Sequence, residues 1–376
     1  MKILLASVSI GAGHNRAAEA LSVAFQQLAP KIELKHIDTL DYLNPAYRKI
    51  YSGGYLALVK HFPKILGMMY KQSVKSTFTS PAARIRISAD HFNSRKFTRL
   101  LNEYKPDIVV NTHFLAPELI ASLKIRGKTN IPQVTCITDF TAHSFWINPY
   151  VDRFYVAADI VKQELIKQKI PADRIRITGI PILSSFSHKS NRTEAQLHFG
   201  LEPNTLSILM LSGGIGIGNI TKMVDILRAI PIKCPVQYII VAGKNTKLKK
   251  QLEQIALGSR VPMHILGFTN EMHLLLDAVD MVVTKAGGMT ISECLAKGVP
   301  MLIVDPIPGQ EEKNTEYIVS RKAAVAAATL ADMPQQLAYL INDTQLRKEL
   351  LKNAISMAKP NAAIDIAKDI LRIINN

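Results

Sequence analysis

The sequence predicts an α/β protein built from two doubly wound, Rossmann-like domains in tandem, and three observations predict it. Short apolar runs of strand length alternate with segments of helical periodicity. The alternation breaks at a polar stretch near the middle and then begins again, and in each half the first apolar run ends in a glycine-rich turn. A chain of 376 residues also exceeds the ~250 to 300 residues at which single cores stop growing.

The first half opens with an apolar run over 2–8, closed by Gly11-Ala12-Gly13, which reads as a buried strand and its turn. Ala17, Ala20, Leu21, Ala24, Phe25 and Leu28 then share one helical face, which stops at Pro30. Further strands are expected over 33–37, 107–110, 134–137 and 154–156, with helical segments between most of them, so the sheet should be parallel. The polar stretch 184–193 reads as the linker between a first domain over 1–183 and a second over 194–358. The second domain starts with a buried strand over 206–211 that ends in Gly213-Gly214-Ile215-Gly216. A helix follows, then a strand over 236–241 and three more near Met263, Met281 and Met301. In 359–376, Ala363, Ile366, Ala367, Ile370, Leu371 and Ile374 recur at helical spacing and predict a packing helix. Ligands of doubly wound sheets bind at the carboxyl ends of the strands, where both glycine loops fall, so the active site is expected in a cleft between the domains.

Composition narrows the function classes. Hydrophobic content of 48% with 20% charged residues fits a folded globular protein with no low-complexity arm. Cys136, Cys234 and Cys294 form no CxxC pair and read as packed thiols in a reducing cytoplasm. The N-terminal run passes directly into a glycine turn, so no signal peptide is expected. No stretch reaches the ~18 apolar residues that span a bilayer, which leaves peripheral attachment as the expected form of membrane contact. A net charge of +16 favours a polyanionic partner. Without an RNP-like motif, zinc-finger spacing or basic tail, nucleic acid is not expected, and an anionic membrane surface ranks first.

The chemistry concentrates in two segments. Lys285-Ala286-Gly287-Gly288-Met289-Thr290-Ile291-Ser292-Glu293 follows a strand and opens a helix, so its unpartnered amides form a cradle for a diphosphate. Glu293 is expected in the first turn, either receiving ribose hydroxyls while Thr290 faces phosphate, or simply favoured there by the helix dipole. The strand near Met301 leads into Asp305-Pro306-Ile307-Pro308-Gly309-Gln310-Glu311-Glu312-Lys313-Asn314. There Gln310, Glu311 and Asn314 offer the donors and acceptors a sugar needs, or form an ordinary polar helix start.

The motifs G-G-x-T-I-x-E and P-x-G-Q-E-x-x-N resemble the donor half of the monogalactosyldiacylglycerol synthase and diacylglycerol glucosyltransferase family, which shares a superfamily with MurG. In the first half Gly11-Ala12-Gly13-His14 resembles the family's G-x-G-H loop. Thr138-Asp139-Phe140-Thr141-Ala142-His143-Ser144-Phe145-Trp146 resembles its T-D-x-x-x-x-H-x-x-W segment, and Thr178-Gly179-Ile180-Pro181-Ile182 its interdomain signature. The five motifs keep their order from the first strand to about residue 325.

The resemblance implies a GT-B fold and an inverting glycosyl transfer, with a UDP-sugar as substrate and no cofactor. The second domain would bind the donor and the first a diacylglycerol-type acceptor. By matched position Gly213 and Gly214 lie in a donor-domain loop, Gly267 and Phe268 meet uracil, and Gly287, Gly288, Met289 and Thr290 meet diphosphate. Glu293 takes the ribose, and Gln310, Glu311 and Asn314 the donor sugar or its phosphates. The loop GGIGIGN is bulkier than the glycine-dense versions of relatives. An acceptor hydroxyl must lose a proton as it attacks, so a base is required. His14 and Asp139 are the two candidates, with Gly13, His143 and Trp146 on the acceptor side. His14 could equally be a helix-start histidine, Asp139 a turn cap and Trp146 a core residue.

No metal site is expected, because the carboxylates of Asp38 and Asp41 lack the required spacing and a helix N-terminus can neutralise the leaving diphosphate. The segment 45–86 mixes Tyr47, Tyr51, Tyr55 and Phe62 with Lys60, Lys64, Lys71 and Lys75, a combination suited to docking on the inner face of the cell membrane. Two rival readings keep the fold: a MurG-like transferase with a polyprenyl-linked or other acceptor, and a silent UDP-sugar-binding regulator. The T-D-x-x-x-x-H-x-x-W segment argues against the first, and His14 with Asp139 against the second.

Overall fold

The computed structural model describes residues 1–46, 48, 49, 53, 54, 67, 68, 95–211, 220–229 and 234–375. Its contacts divide the chain into two units, Met1–Ser184 with Pro308–Gln310 and Asn361–Asn376, and Ser185–Ile307 with Glu311–Pro360. Each unit carries a parallel six-stranded sheet.

In the first unit β1 (Lys2–Ser7) is an interior strand, second from the edge of the sheet, with Ile3, Leu4, Leu5 and Ala6 fully enclosed. After the glycine turn, α1 (Gly13–Leu28) buries Ala17, Ala18, Ala20, Leu21, Ala24 and Phe25, the face the periodicity predicts. No side chain caps its start, and its first turn holds no acidic residue. The chain then forms β2 (Glu33–Asp38), α2 (Arg95–Tyr104), β3 (Ile108–Asn111), α3 (Leu115–Ile125), β4 (Gln133–Cys136), β5 (Arg153–Val156), α4 (Asp159–Lys167) and β6 (Ile175–Ile177). The strand order is β2-β1-β3-β4-β5-β6. Strand order therefore reverses between β1 and β3, which opens a crevice at their carboxyl ends.

The second unit begins with α5 (Arg192–His198) and continues through β7 (Leu206–Leu211), α6 (Ile220–Ala229), β8 (Val236–Val241), α7 (Thr246–Leu257), β9 (Met263–Leu266) and α8 (Met272–Ala278). Then come β10 (Met281–Thr284), α9 (Gly288–Lys297), β11 (Met301–Val304), α10 (Gln310–Ser320), β12 (Ala324–Ala327), α11 (Met333–Asn342) and α12 (Thr344–Met357). Its order, β12-β11-β10-β7-β8-β9, reverses between β7 and β10.

The far end of α9 is braced twice. Lys297 is buried, and its ammonium donates to the Asp277 carboxylate at 2.6 Å and to the His188 carbonyl. Gly298 ends the helix in the left-handed region at φ 66°, and a Cβ there would lie 2.8 Å from Ile355 Cγ1. Only glycine satisfies both demands.

The final helix, α13 (Ala362–Asn375), packs in the first unit. Its buried Ala363, Ile366, Ala367 and Ile370 share a core with Leu21, Phe25 and β1. Asp369 accepts hydrogen bonds from Arg153 Nη1 at 2.7 Å and from the Tyr155 hydroxyl at 2.8 Å. Fully burying one isoleucine side chain stabilises by about 1.5–3 kcal/mol, so this helix contributes substantially to that core.

Among the described residues no helix is long and apolar enough to cross a membrane. Of the proposed docking segment 45–86, Tyr47, Tyr51, Tyr55, Phe62, Lys60, Lys64, Lys71 and Lys75 lie outside the described residues. So do Gly213, Gly214 and Gly216.

Candidate active site

The crevice of the first sheet is lined by the segments that leave β1, β3 and β4. His14 stands in the first turn of α1, and its Nδ1 lies 2.7 Å from the carbonyl of Thr112, just past β3. A carbonyl only accepts, so Nδ1 carries the proton and Nε2 keeps its lone pair. The Thr112 hydroxyl donates back to the His14 carbonyl at 2.9 Å, and the Thr138 hydroxyl sits 3.1 Å from Nδ1. Burial pulls the His14 pKa down to about 4, only partly offset by the bond to Thr112. At neutral pH the ring is an uncharged imidazole in one tautomer, and Nε2 has no hydrogen-bond partner among the described residues.

Around it lies an aromatic wall. His113 meets His14 edge to face, with centroids 4.7 Å apart, and Trp146 lies 6.3 Å from His14. Phe114 contacts His143 and Trp146 at 5.4 and 5.6 Å. His113 Nδ1 accepts the Leu115 N–H at 3.1 Å, so its proton is on Nε2. Burial first, then the neighbouring His14 and His143, hold its pKa well below the usual histidine value. Trp146 is 2% exposed, and its indole N–H has no partner among the described residues. It therefore backs the site as a packed residue. Gly13 is the first residue of α1, next to His14.

Asp139 and His143 are 2% and 4% exposed, on the loop after β4. That loop is pinned from α4, because Glu164 accepts the Ala142 N–H at 2.6 Å and the Thr141 hydroxyl at 3.4 Å. The structure thus brings His14, Asp139, Gly13, His143 and Trp146 to one crevice and adds Thr112, His113, Phe114 and Glu164. The sequence reading did not single these four out. The polar pair Thr112-His113 with the ring of Phe114, directly after the buried strand β3, was the available signal for the first three.

The second unit's cradle follows β10. Gly287 caps α9 without any side-chain hydrogen bond, and the first intrahelical bond is Ile291 N–H to the Gly287 carbonyl at 3.0 Å. The amides of Gly288, Met289 and Thr290 therefore find no partner within the helix, and no acidic residue stands in the first turn. Glu293, expected in that turn, lies instead in the second, because the helix starts at Gly288. It still shares a face with Thr290, three residues earlier.

Asn314 is fully buried and donates to the Ala286 carbonyl at 3.0 Å, so it ties α10 to the cradle from beneath. Glu311 accepts the Ile307 N–H at 2.8 Å, and its other oxygen lies 4.0 Å from where a Gly287 Cβ would stand. Gln310 is the first residue of α10. Lys285 pairs with Asp305 at 3.4 Å. At the other side of the same edge, Gly267 and Phe268 follow β9. Phe268 is 52% exposed, and the Lys244 ammonium lies 5.1 Å from its ring centroid.

Asp38 accepts from the amides of Leu40 and Ser9, and Asp41 pairs with Arg48 at 2.6 Å. Both thus have structural partners, and no group of acidic, histidine or cysteine side chains that could hold a metal occurs among the described residues.

Two parallel sheets whose strand orders reverse above these loops define a GT-B protein. MurG of Acinetobacter baumannii has the same fold, with a TM-score of 0.63 at 16% identity over 99% of each chain. Residues 14–182 match the monogalactosyldiacylglycerol (MGDG) synthase family and residues 220–370 the glycosyltransferase family 28 C-terminal domain. The processive diacylglycerol beta-glucosyltransferase of Bacillus licheniformis is 30% identical over 280 residues, 74% of this chain and 72% of the relative. The Staphylococcus carnosus protein of the same description is 29% identical over 383 residues, 100% of this chain and 93% of that one. The chain belongs to this family of diacylglycerol glycosyltransferases.

Proposed function

We infer that the protein transfers a sugar to diacylglycerol or a glycosyl-diacylglycerol, as its family does, and we propose that the donor is UDP-glucose. The observation that carries this reading is the pairing of two chemistries at two points of strand reversal. The first unit holds a neutral imidazole with Nε2 open, and the second a helix N-terminus with no side-chain cap and no acidic residue in its own first turn.

In this mechanism the acceptor hydroxyl gives its proton to His14 Nε2 as its oxygen attacks the anomeric carbon. The bond from that carbon to the β-phosphate oxygen breaks on the opposite face, and UDP leaves with the negative charge. The amides of Gly288, Met289 and Thr290 meet that charge, and the helix dipole adds to them. Thr112 holds His14 in the required tautomer, and Asp139 is the second candidate, as orienter of a histidine or as the base itself. Glu293 addresses the ribose, Gln310 and Glu311 the donor sugar, and Gly267 with Phe268 the uracil. Asn314 supports the cradle. A diacylglycerol acceptor lies in a bilayer, so the enzyme works attached to an anionic membrane surface.

Purified protein supplied with diacylglycerol vesicles and either UDP-glucose or UDP-galactose, in EDTA, tests this directly. Glucosyl lipids resolved by mass spectrometry are the expected product. Galactosyl lipids alone would overturn the assignment of glucose, and no lipid-linked hexose would overturn the reading as a whole.

A further inference from the structure

The carboxyl edge of the second sheet is a ruler. Phe268 follows β9, Lys244 follows β8, and the cradle of Gly288 follows β10, with β7 between the last two in the order β10-β7-β8-β9. Neighbouring strands stand ~4.8 Å apart, so the turn after β9 and the cradle are separated by ~14 Å along the edge. A nucleoside diphosphate laid along it with its base at Phe268 and its terminal phosphate at Gly288 passes Lys244 on the way. The loops after β8 and β9 are close neighbours there: the Gly243 carbonyl lies 3.9 Å from where a Gly267 Cβ would stand.

Lys244 is an exposed cation with no carboxylate partner among the described residues. Its ammonium rests over the Phe268 ring instead. Lys285, at the same edge, is already neutralised by Asp305. A cation over an exposed aromatic ring is held only weakly, and a phosphate oxygen easily outbids it. A pyrimidine stacking on Phe268 would also need the ring face that the ammonium covers.

We propose that Lys244 is a donor-binding residue that exchanges partners. It leaves the Phe268 ring as the base arrives and becomes the counter-charge of the phosphate nearer the nucleoside. This rests on the donor-site reading above and adds to it a residue and a phosphate contact. One movement thus frees the base-stacking surface and supplies a charge to the diphosphate, so phosphate and base binding are coupled.

The test is calorimetric titration of the full-length protein with UDP and with uridine, for the unsubstituted chain, Lys244→Met, Lys244→Arg and Phe268→Ala. Lys244→Met should weaken UDP roughly tenfold and flatten the salt dependence of its affinity, while uridine binds as well as before or better. Lys244→Arg should restore most of the UDP affinity, and Phe268→Ala should weaken both ligands alike. If Lys244→Met binds UDP within about twofold of the unsubstituted chain, or loses uridine and UDP equally, the exchange is refuted while the donor site stands. If the unsubstituted chain binds no UDP, the donor-site reading itself falls and this proposal with it.

Discussion

The two crevices solve opposite electrostatic problems. In the first unit the crevice is made of side chains. Three histidines, a tryptophan and Phe114 pack so tightly that burial, the largest cause, keeps His14 and His113 uncharged. In the second unit the crevice is made of backbone. Helix α9 starts without a side-chain cap, Gly287 and Gly288 keep it open, and Asn314 and one oxygen of Glu311 hold the neighbouring loops. A proton acceptor is thus created by withdrawing water from an imidazole, and an anion site by leaving amides without partners. The comparison teaches that the first crevice should be sensitive to side-chain chemistry and pH, and the second to added charge and to the bracing of one helix.

The largest effect that could break this contrast is on turnover. His14→Ala should lower kcat by about 10²–10⁴-fold, the usual worth of a positioned base, with UDP affinity in calorimetry unchanged. Asp139→Asn should cost less. If the order is reversed in initial-rate measurements, the base is Asp139.

Next comes the brace under the open crevice. Lys297→Met leaves the Asp277 carboxylate buried opposite an apolar group and should cost about 3–5 kcal/mol of stability in urea unfolding. A loss under about 1 kcal/mol would mean that the pair holds nothing in place.

A smaller effect separates stability from binding at the cradle. Thr290→Asp puts a carboxylate in the first turn of α9, which the dipole favours by about 0.3–1 kcal/mol. The melting temperature should rise slightly while the KM for the donor rises roughly tenfold, a change equivalent to about 1.4 kcal/mol. An unchanged donor KM would remove the diphosphate from this helix.

The smallest is a displacement along the pH axis. Because the folded pKa of His14 is about 4 against 6.5 for an ordinary histidine, the unfolded chain takes up the proton first as pH falls. The stability tied to this group is whole above 6.5 and drains away between 6.5 and 4. For the same reason the acid limb of kcat/KM should lie nearer 4 than 6.5. A limb centred at or above 6.5 would show that the titrating base is not the His14 of the free enzyme.

How much of this was legible beforehand follows from which interactions are local. The strand, glycine turn and helix at the start could be read because apolar spacing and Gly11-Ala12-Gly13 are properties of neighbouring residues. The glycine start of α9 after β10 was legible for the same reason. β6, only three residues long, and β12, whose Ala324-Val325-Ala326-Ala327 carries no alternation, were not anticipated. Both exist through pairing with β5 and β11. His113 escaped notice because its importance comes from lying 4.7 Å from a ring almost a hundred residues away in sequence. The reach of Glu164 to Ala142 was hidden likewise, and so was the inward turn of Asn314 toward Ala286. Glu293 was placed one turn too early because a glycine pair does not announce which of its members starts the helix.

The position of α13 has a consequence for biosynthesis. The first unit draws Ile366, Ala367 and Ile370 from sequence that follows the whole of the second. A nascent chain emerges N-terminus first, so β1 and α1 leave the ribosome with their partner still untranslated. At ~5–20 residues per second that wait is on the order of tens of seconds. Through it the apolar side of α1 is uncovered, which makes the half-finished first unit a natural client for a chaperone and ribosomal pausing late in the message a hazard to it.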